Sequence, residues 1–197
     1  MNLQSTLTIE EPAVDLAIVV GYVAELEKYL TADDLYRTVW VNTPKGDQSL
    51  QMTIGDLLAR LHRLQGQRQD LSAQQLAQLD SMQKSTTDII YSLRTRAHDR
   101  LQREMKARLD SLKWYLDDGS DDLQRFRGSF PSEMRNRQRI EEILKELGED
   151  VLPEYKERLK GVDHRIRMMA GASTFIWDER WKAIYPQMPY WYLYVRP

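Results

Sequence analysis

Three histidines, His62, His98 and His164, are the side chains in this 197-residue sequence best suited to proton transfer or metal ligation near neutral pH. None has a carboxylate three residues before it or a second histidine four away, so neither Glu-x-x-His nor His-Glu-x-x-His places two ligands on one helix face. Cysteine is absent, which removes disulfides, thiolate metal sites, iron–sulfur clusters and thiol catalysis together. The densest carboxylate run is "DDGSDD" at 117–122, with Asp117, Asp121 and Asp122 around a glycine. Counted from Asp117, the bidentate glutamate of a calcium loop falls on Gly128, so the run reads instead as a helix stop followed by a helix start. No Gly-x-Gly-x-x-Gly, P-loop or Gly-x-Ser-x-Gly elbow is present. These residues lean away from an enzyme and imply no cofactor and no metal.

One pair of residues keeps a catalytic alternative open. Arg158 and His164, in "RLKGVDH", stand with five residues between them. The pair resembles the Arg-x4-6-His signature of the HEPN ribonucleases, helical bundles that dimerise around paired motifs. The resemblance implies RNA cleavage with Arg158 and His164 as the catalytic residues.

The net charge of −2 argues against a dedicated nucleic-acid binder, which is usually strongly basic. The charges are nonetheless segregated. Residues 10–34 carry Glu10, Glu11, Asp15, Glu25, Glu27, Asp33 and Asp34 against Lys28. A basic face further on comprises Arg94, Arg96, Arg100, Arg103, Lys106 and Arg108, diluted by Asp99 and Glu104 and holding no aromatic ring for a base to stack on. The plainest expectation is intramolecular, with the acidic first helix near the basic middle one. Nucleic acid ranks below a protein partner.

The elements that position these residues read as mainly α. Helix propensity and apolar spacing predict helices at 12–30, 54–64, 72–117, 131–147 and 153–170, and a last one opening at Ser173 within "TFIWDERWKAIY". Residues 36–53 interrupt them: "YRTVWV" and "QSLQMTI" flank the turn residues "NTPKGD" and predict a small hairpin. The stretch 72–117 contains neither Pro nor Gly, and its apolar spine runs Leu79, Met82, Thr86, Ile90, Leu93, Ala97, Leu101, Met105, Leu109, Leu112, Leu116. A continuous helix of that length would be about 65 Å long, against a diameter of about 40 Å for a compact chain of this size. One very long central helix therefore either breaks near Ser85–Thr87 or finds cover in a second subunit. With no internal repeat and no low-complexity linker, residues 1–197 read as a single helical domain.

The chain closes on "YPQMPYWYLYVRP", in which five rings fall within thirteen residues. Tyr190, Trp191, Tyr192 and Tyr194 have strand propensity, so residues 186–197 read as a strap that pairs with the hairpin near Trp40, while Trp177 and Trp181 pack into the bundle. The longest apolar run, 16–24, is about half of a membrane span, and no basic segment leads into an apolar one at the N-terminus; the expectation is no membrane and a cytoplasmic chain. The function expected is a non-enzymatic interaction or scaffold module, a homodimer or bound to another protein. The alternatives are a HEPN-like RNA binder or nuclease and a small-ligand-binding bundle.

Overall fold

Pro12 at the first helical position, a run of apolar residues and no breaker before Ala32 nucleate a helix. In the computed structural model, which describes residues 11–118, 123–169 and 171–197, that helix is α1, Pro12–Thr31. A two-stranded antiparallel hairpin follows, β1 Arg37–Thr43 and β2 Gly46–Met52, then α2 Ile54–Gly66, α3 Ala73–Ser92, α4 Arg94–Asp118, α5 Leu123–Leu147 and α6 Pro153–Met168. The chain is mainly helical with a small sheet. It divides into two compact units, one of residues 10–104 and one containing residues 105–197; α4 gives its first turns to the former and the rest to the latter.

In the unit of residues 10–104, the hairpin turns at Pro44 and Lys45, with Thr43 opposite Gly46. Gly46 takes the left-handed conformation at φ 100°, which admits glycine without strain. Alternation sends Val39, Val41 and Met52 inward and leaves Trp40 outside. Gly21 on α1 lets the helix meet β1 closely: a Cβ there would lie 2.7 Å from a methyl of Val41. α2 starts at Thr53, whose hydroxyl accepts the Asp56 N–H at 3.2 Å. α3 starts with the reciprocal Ser72–Gln75 capping box that the sequence predicts.

The expected helix over 72–117 is two helices. Thr86 and Thr87, where a break would cost least in propensity, stay helical, their hydroxyls bonding the carbonyls of Met82 and Gln83 four residues back. The interruption falls at Leu93, with φ −112° and ψ 32°, directly after Ser92 makes the same back-bond to Asp88. Such back-bonds bend helices, and the third one sits where the backbone leaves the helical region. Among the described residues the longest helices, α4 and α5, have 25 residues each. The apolar spine is buried as its spacing predicts at Leu79, Thr86, Ile90, Ala97, Leu101, Met105, Leu109, Leu112 and Leu116.

In the unit containing residues 105–197, two boundaries and the tail differ from expectation. α5 starts eight residues before Pro131 and continues through it. An internal proline costs about 3 kcal/mol, whereas burying Phe126 and Phe130 stabilises by about 1.5–3 kcal/mol each. Residues 173–185 are not one helix: 173–176 lack regular structure, and a 3-10 turn, Glu179–Trp181, runs on into turn residues 182–184; the first part and the residues before it bond to the tail instead. Ile176 N–H donates to the Leu193 carbonyl at 2.9 Å, and Gly171 and Ala172 N–H to the Arg196 carbonyl at 2.9 and 3.2 Å. The tail therefore does not pair with the hairpin near Trp40. The sheet has two strands, and residues Trp191–Tyr194 form a 3-10 turn against α5 and α6. Among the described residues, the tail keeps strand character at one isolated bridge, Ala172 to Arg196. Part of the "DDGSDD" run, 119–122, lies outside the described residues; α4 ends at Asp118.

Tyr190, Tyr192 and Leu193 are 2%, 0% and 0% exposed, and burying three such side chains contributes several kcal/mol of a total stability of about 5–15. Deleting residues 186–197 should lower the melting temperature by ten degrees or more on the order expected for a domain of this size. Trp40→Ser should leave it unchanged, and circular dichroism on heating distinguishes the two.

Candidate functional site

The residues with catalytic or binding potential fall into three clusters, two of them in the unit of residues 10–104. The first is the basic face of α4. Arg96, Arg100 and Arg103 follow one another at four and three residues, hence on one side of the helix, and each donates to a carbonyl at the C-terminal end of α1. Arg96 Nη1 reaches Thr31 O at 3.2 Å, Arg100 Nη2 reaches Ala32 O, and Arg103 Nη2 reaches Asp33 O at 3.0 Å. The last carbonyls of a helix lack intrahelical partners and carry the negative end of its dipole, so three guanidiniums cap it. Arg100 is 3% exposed and lies 4.8 Å from the Tyr29 ring centroid. At these three arginines the meeting of α1 with the basic helix uses backbone carbonyls. Of the remaining basic face, Lys106 pairs with Asp110 at 3.1 Å and Arg108 donates to Asn136 at 2.8 Å, both in the other unit, and Arg94 is exposed.

The second cluster is a buried ionic network that the sequence reading missed. Asp15 on α1 is fully buried and accepts from Arg60 and, at 2.6 Å, from Arg63. Arg60 Nε also donates to Asp56 at 2.9 Å, and the Tyr22 hydroxyl donates to the same carboxylate at 3.3 Å. Nearby Glu104, fully buried, accepts from the Thr53 hydroxyl at 2.7 Å and from Gly55 N–H at 2.9 Å, completing the cap of α2. Burying single charges is prohibitive, so each carboxylate meets donors with both oxygens or from two sides. A sequence signal existed: Asp15 interrupts the apolar run "VDLAIVV", and Asp56, Arg60 and Arg63 share one face of α2 by their spacing.

The third cluster lies in the unit of residues 105–197. Arg137 is 4% exposed and forks onto Asp163 through Nε at 2.8 Å and Nη2 at 3.0 Å; Nη1 takes Glu141 at 2.9 Å, and the Tyr192 ring lies 4.6 Å away. Burial disfavours its charge, yet the Asp163 carboxylate holds its pKa above the ordinary arginine value. The Tyr190 hydroxyl donates to Glu142 at 2.9 Å, and Lys145 bonds both. Around them Trp181, Trp177, Tyr185, Tyr190, Tyr192 and Trp191 follow edge to face, with centroids 5.0–6.3 Å apart. Arg167 covers the outer face of Trp191 at 3.8 Å. The Trp177 indole donates to the Pro131 carbonyl at 2.8 Å, so Trp177 and Trp181 are core residues of this unit, 7% and 2% exposed. The Tyr194 ring is tilted against Phe175 at 5.1 Å between centroids and its hydroxyl donates to the Tyr185 carbonyl at 2.8 Å.

Arg158 and His164 are both on α6, but the structure gives them different surroundings. Arg158 donates to Asp110 of α4, whereas His164 is exposed. Six residues at 100° each put them about 120° apart around the helix. Among the described residues no group of three His, Asp or Glu side chains could hold a metal ion. Comparison of the chain with protein-family models, with curated proteins and with solved structures returns no match.

Burial is the largest cause that pushes the phenols of Tyr115, Tyr190 and Tyr192 above their ordinary pKa; the neighbouring Glu142 adds to it at Tyr190. A folded pKa above the unfolded value of about 10 means that the neutral phenols' contribution is complete below that pH and is lost as pH rises beyond it. In an alkaline titration, phenolate absorbance from these tyrosines should appear only together with loss of helical circular dichroism. Complete tyrosine ionisation near pH 11 with helicity intact would contradict the burial described.

Proposed function

We propose that the chain is a non-enzymatic, self-associating interaction module and that its hairpin carries the contact. The observation behind this reading is Trp40: at the centre of β1 and 76% exposed, it stands on the solvent face of a strand whose opposite face holds Val39 and Val41. A tryptophan left in water on an ordered strand is costly for a solitary chain and is among the residues most enriched at interface hot spots. Tyr36, immediately before the strand, is 49% exposed. Thr38, Asn42, Asp47, Ser49 and Gln51 surround Trp40 in cross-strand register. Gln51 donates to Thr38 at 2.9 Å and Asn42 to Asp47 at 2.7 Å, so polar cross-strand pairs flank Trp40 on this face.

No other segment among the described residues adds a backbone hydrogen bond to the outer edge of either strand. An open-edged strand with a central aromatic suits pairing with its own copy about a two-fold axis, since the same patch serves both partners. A binding role is further supported by how the ionisable groups are used: Arg96, Arg100 and Arg103 cap α1, Arg158 pairs with Asp110, and Arg137 pairs with Asp163. Among the described residues no helix is long and apolar enough to cross a membrane.

Sedimentation at high micromolar concentration should give twice the 23.2 kDa chain mass. Trp40→Ser and Thr38→Pro should each return the chain mass. Trp40→Ser should do so at unchanged melting temperature, since substitution of an exposed side chain shifts stability by about 0.5 kcal/mol or less. A wild-type protein that sediments as a monomer, or a Trp40→Ser variant that remains a dimer, overturns the proposal.

A further inference from the structure

A cavity of about 550 Å³ opens in the unit of residues 105–197, where the last turn of α4, the first turns of α5 and the end of α6 converge. That volume lies within the range of small-molecule sites, about 300–1,000 Å³. Its walls are mainly aliphatic and aromatic: Leu116 and Phe126 form buried parts of the lining, and Leu123 and Met169 the more open ones. Phe126 is fixed from behind, stacked on Tyr115 at 4.7 Å between ring centroids, with the Tyr115 hydroxyl donating to the Phe126 carbonyl at 2.6 Å. The apolar wall is therefore held in shape by contacts outside the cavity, as a preformed site requires.

Pro197, the carboxylate of Asp117 and two guanidiniums complete the lining, and the guanidiniums differ. Arg165 donates to Asp117 at 2.6 Å, and Asp117 also takes Lys113, so that carboxylate is already shared between two cations. Arg127 is exposed and has no side-chain hydrogen bond or ion pair among the described residues. The N–H donors of Arg127, with those of Arg165 that Asp117 does not take, stand beside an aliphatic wall and match a ligand with an anionic head and an apolar chain. Exposed Leu123, at 60%, is an apolar side chain at the same opening that such a chain would cover.

We infer that this cavity binds an anionic amphiphile, a carboxylate or phosphate head on a short aliphatic chain, with Arg127 and Arg165 meeting the head and Leu116, Leu123, Phe126 and Met169 the chain. The cavity belongs to a different unit from the hairpin, and the inference does not depend on self-association. Free amphiphile and bilayer lipid present the same chemistry, and two arms of one experiment separate them. In the first, sodium decanoate and decanol are titrated against the full chain and followed by melting temperature and by the NMR signals of the Tyr115 and Phe126 rings. Decanoate should saturate and raise the melting temperature, because a ligand that binds only the folded state stabilises it. Decanol, with the same chain and no charge, should bind at least tenfold more weakly.

Arg127→Gln should weaken decanoate at least tenfold while melting as the wild type does without ligand, since the side chain it removes is exposed. Leu123→Asp, also at an exposed position, should abolish binding by placing a like charge on the chain's path. In the second arm, co-sedimentation with phosphatidylglycerol vesicles that Arg127→Gln abolishes would assign the head group to bilayer lipid; decanoate binding without co-sedimentation would assign a free amphiphile. Decanol binding as tightly as decanoate, an unaltered affinity in Arg127→Gln, or no decanoate binding at millimolar concentration overturns the inference.

Discussion

The C-terminal end of α1 is the point on which the unit of residues 10–104 depends. Three carbonyls there, of Thr31, Ala32 and Asp33, would be left without partners, and α4 supplies three arginines to them in succession. The central one, Arg100, is enclosed: among the described residues its Nε and Nη1 have no hydrogen-bond partner, and the Tyr29 ring faces the guanidinium instead. Tyr29 is itself anchored, its hydroxyl donating to the Leu35 carbonyl at 2.8 Å just before β1. Four residues along α4, Glu104 holds the N-terminus of α2. One helix thus neutralises the negative end of α1 and the positive end of α2, and between those two ends the hairpin is positioned against Gly21.

The unit of residues 105–197 solves the same electrostatic problem with different chemistry. Arg137 and Glu142, five residues apart on α5, are both buried, and each is satisfied by a partner from α6 or the tail: Asp163 for the cation, Tyr190 for the carboxylate. The aromatic rings shield these ion contacts from water, which strengthens them, while the ion contacts fix the rings' orientation. This is why a tail so rich in tyrosine and tryptophan is ordered. In both units several of the charged side chains that sequence spacing brings to notice hold elements together: Arg96, Arg100 and Arg103 in one, Arg137 and Arg158 in the other.

Much of this was legible in local sequence. Pro12, the Ser72–Gln75 box, Thr53 and the turn residues around Gly46 each act within a few residues, so element starts and the hairpin follow from them. The buried spine of α4 follows from its 3.6-residue period. What was not legible depends on partners distant in sequence. Leu93 rather than Thr86 interrupts the long helical stretch, although Thr86 has the lower propensity, because tertiary burial of Thr86 overrides it. The tail has strand propensity but spends its backbone hydrogen bonds on residues 171–176, so propensity alone named the wrong partner. Asp15 and Glu104 look like surface acids until Arg60, Arg63, Thr53 and Gly55 are seen around them, 45 to 51 residues away.

The basic face of α4 is the sharpest case, because the same six cations would read as a phosphate-binding surface or as a structural clamp. A clamp whose central residue is buried must register in stability. Equilibrium unfolding in urea of Arg100→Met against the wild type measures this directly. Loss of the buried cation and of the cap on Ala32 should destabilise the protein by roughly 2–4 kcal/mol, with an unchanged denaturant slope. A variant within about 0.5 kcal/mol of the wild type, as expected of a side chain held at the surface for a partner, would contradict the account.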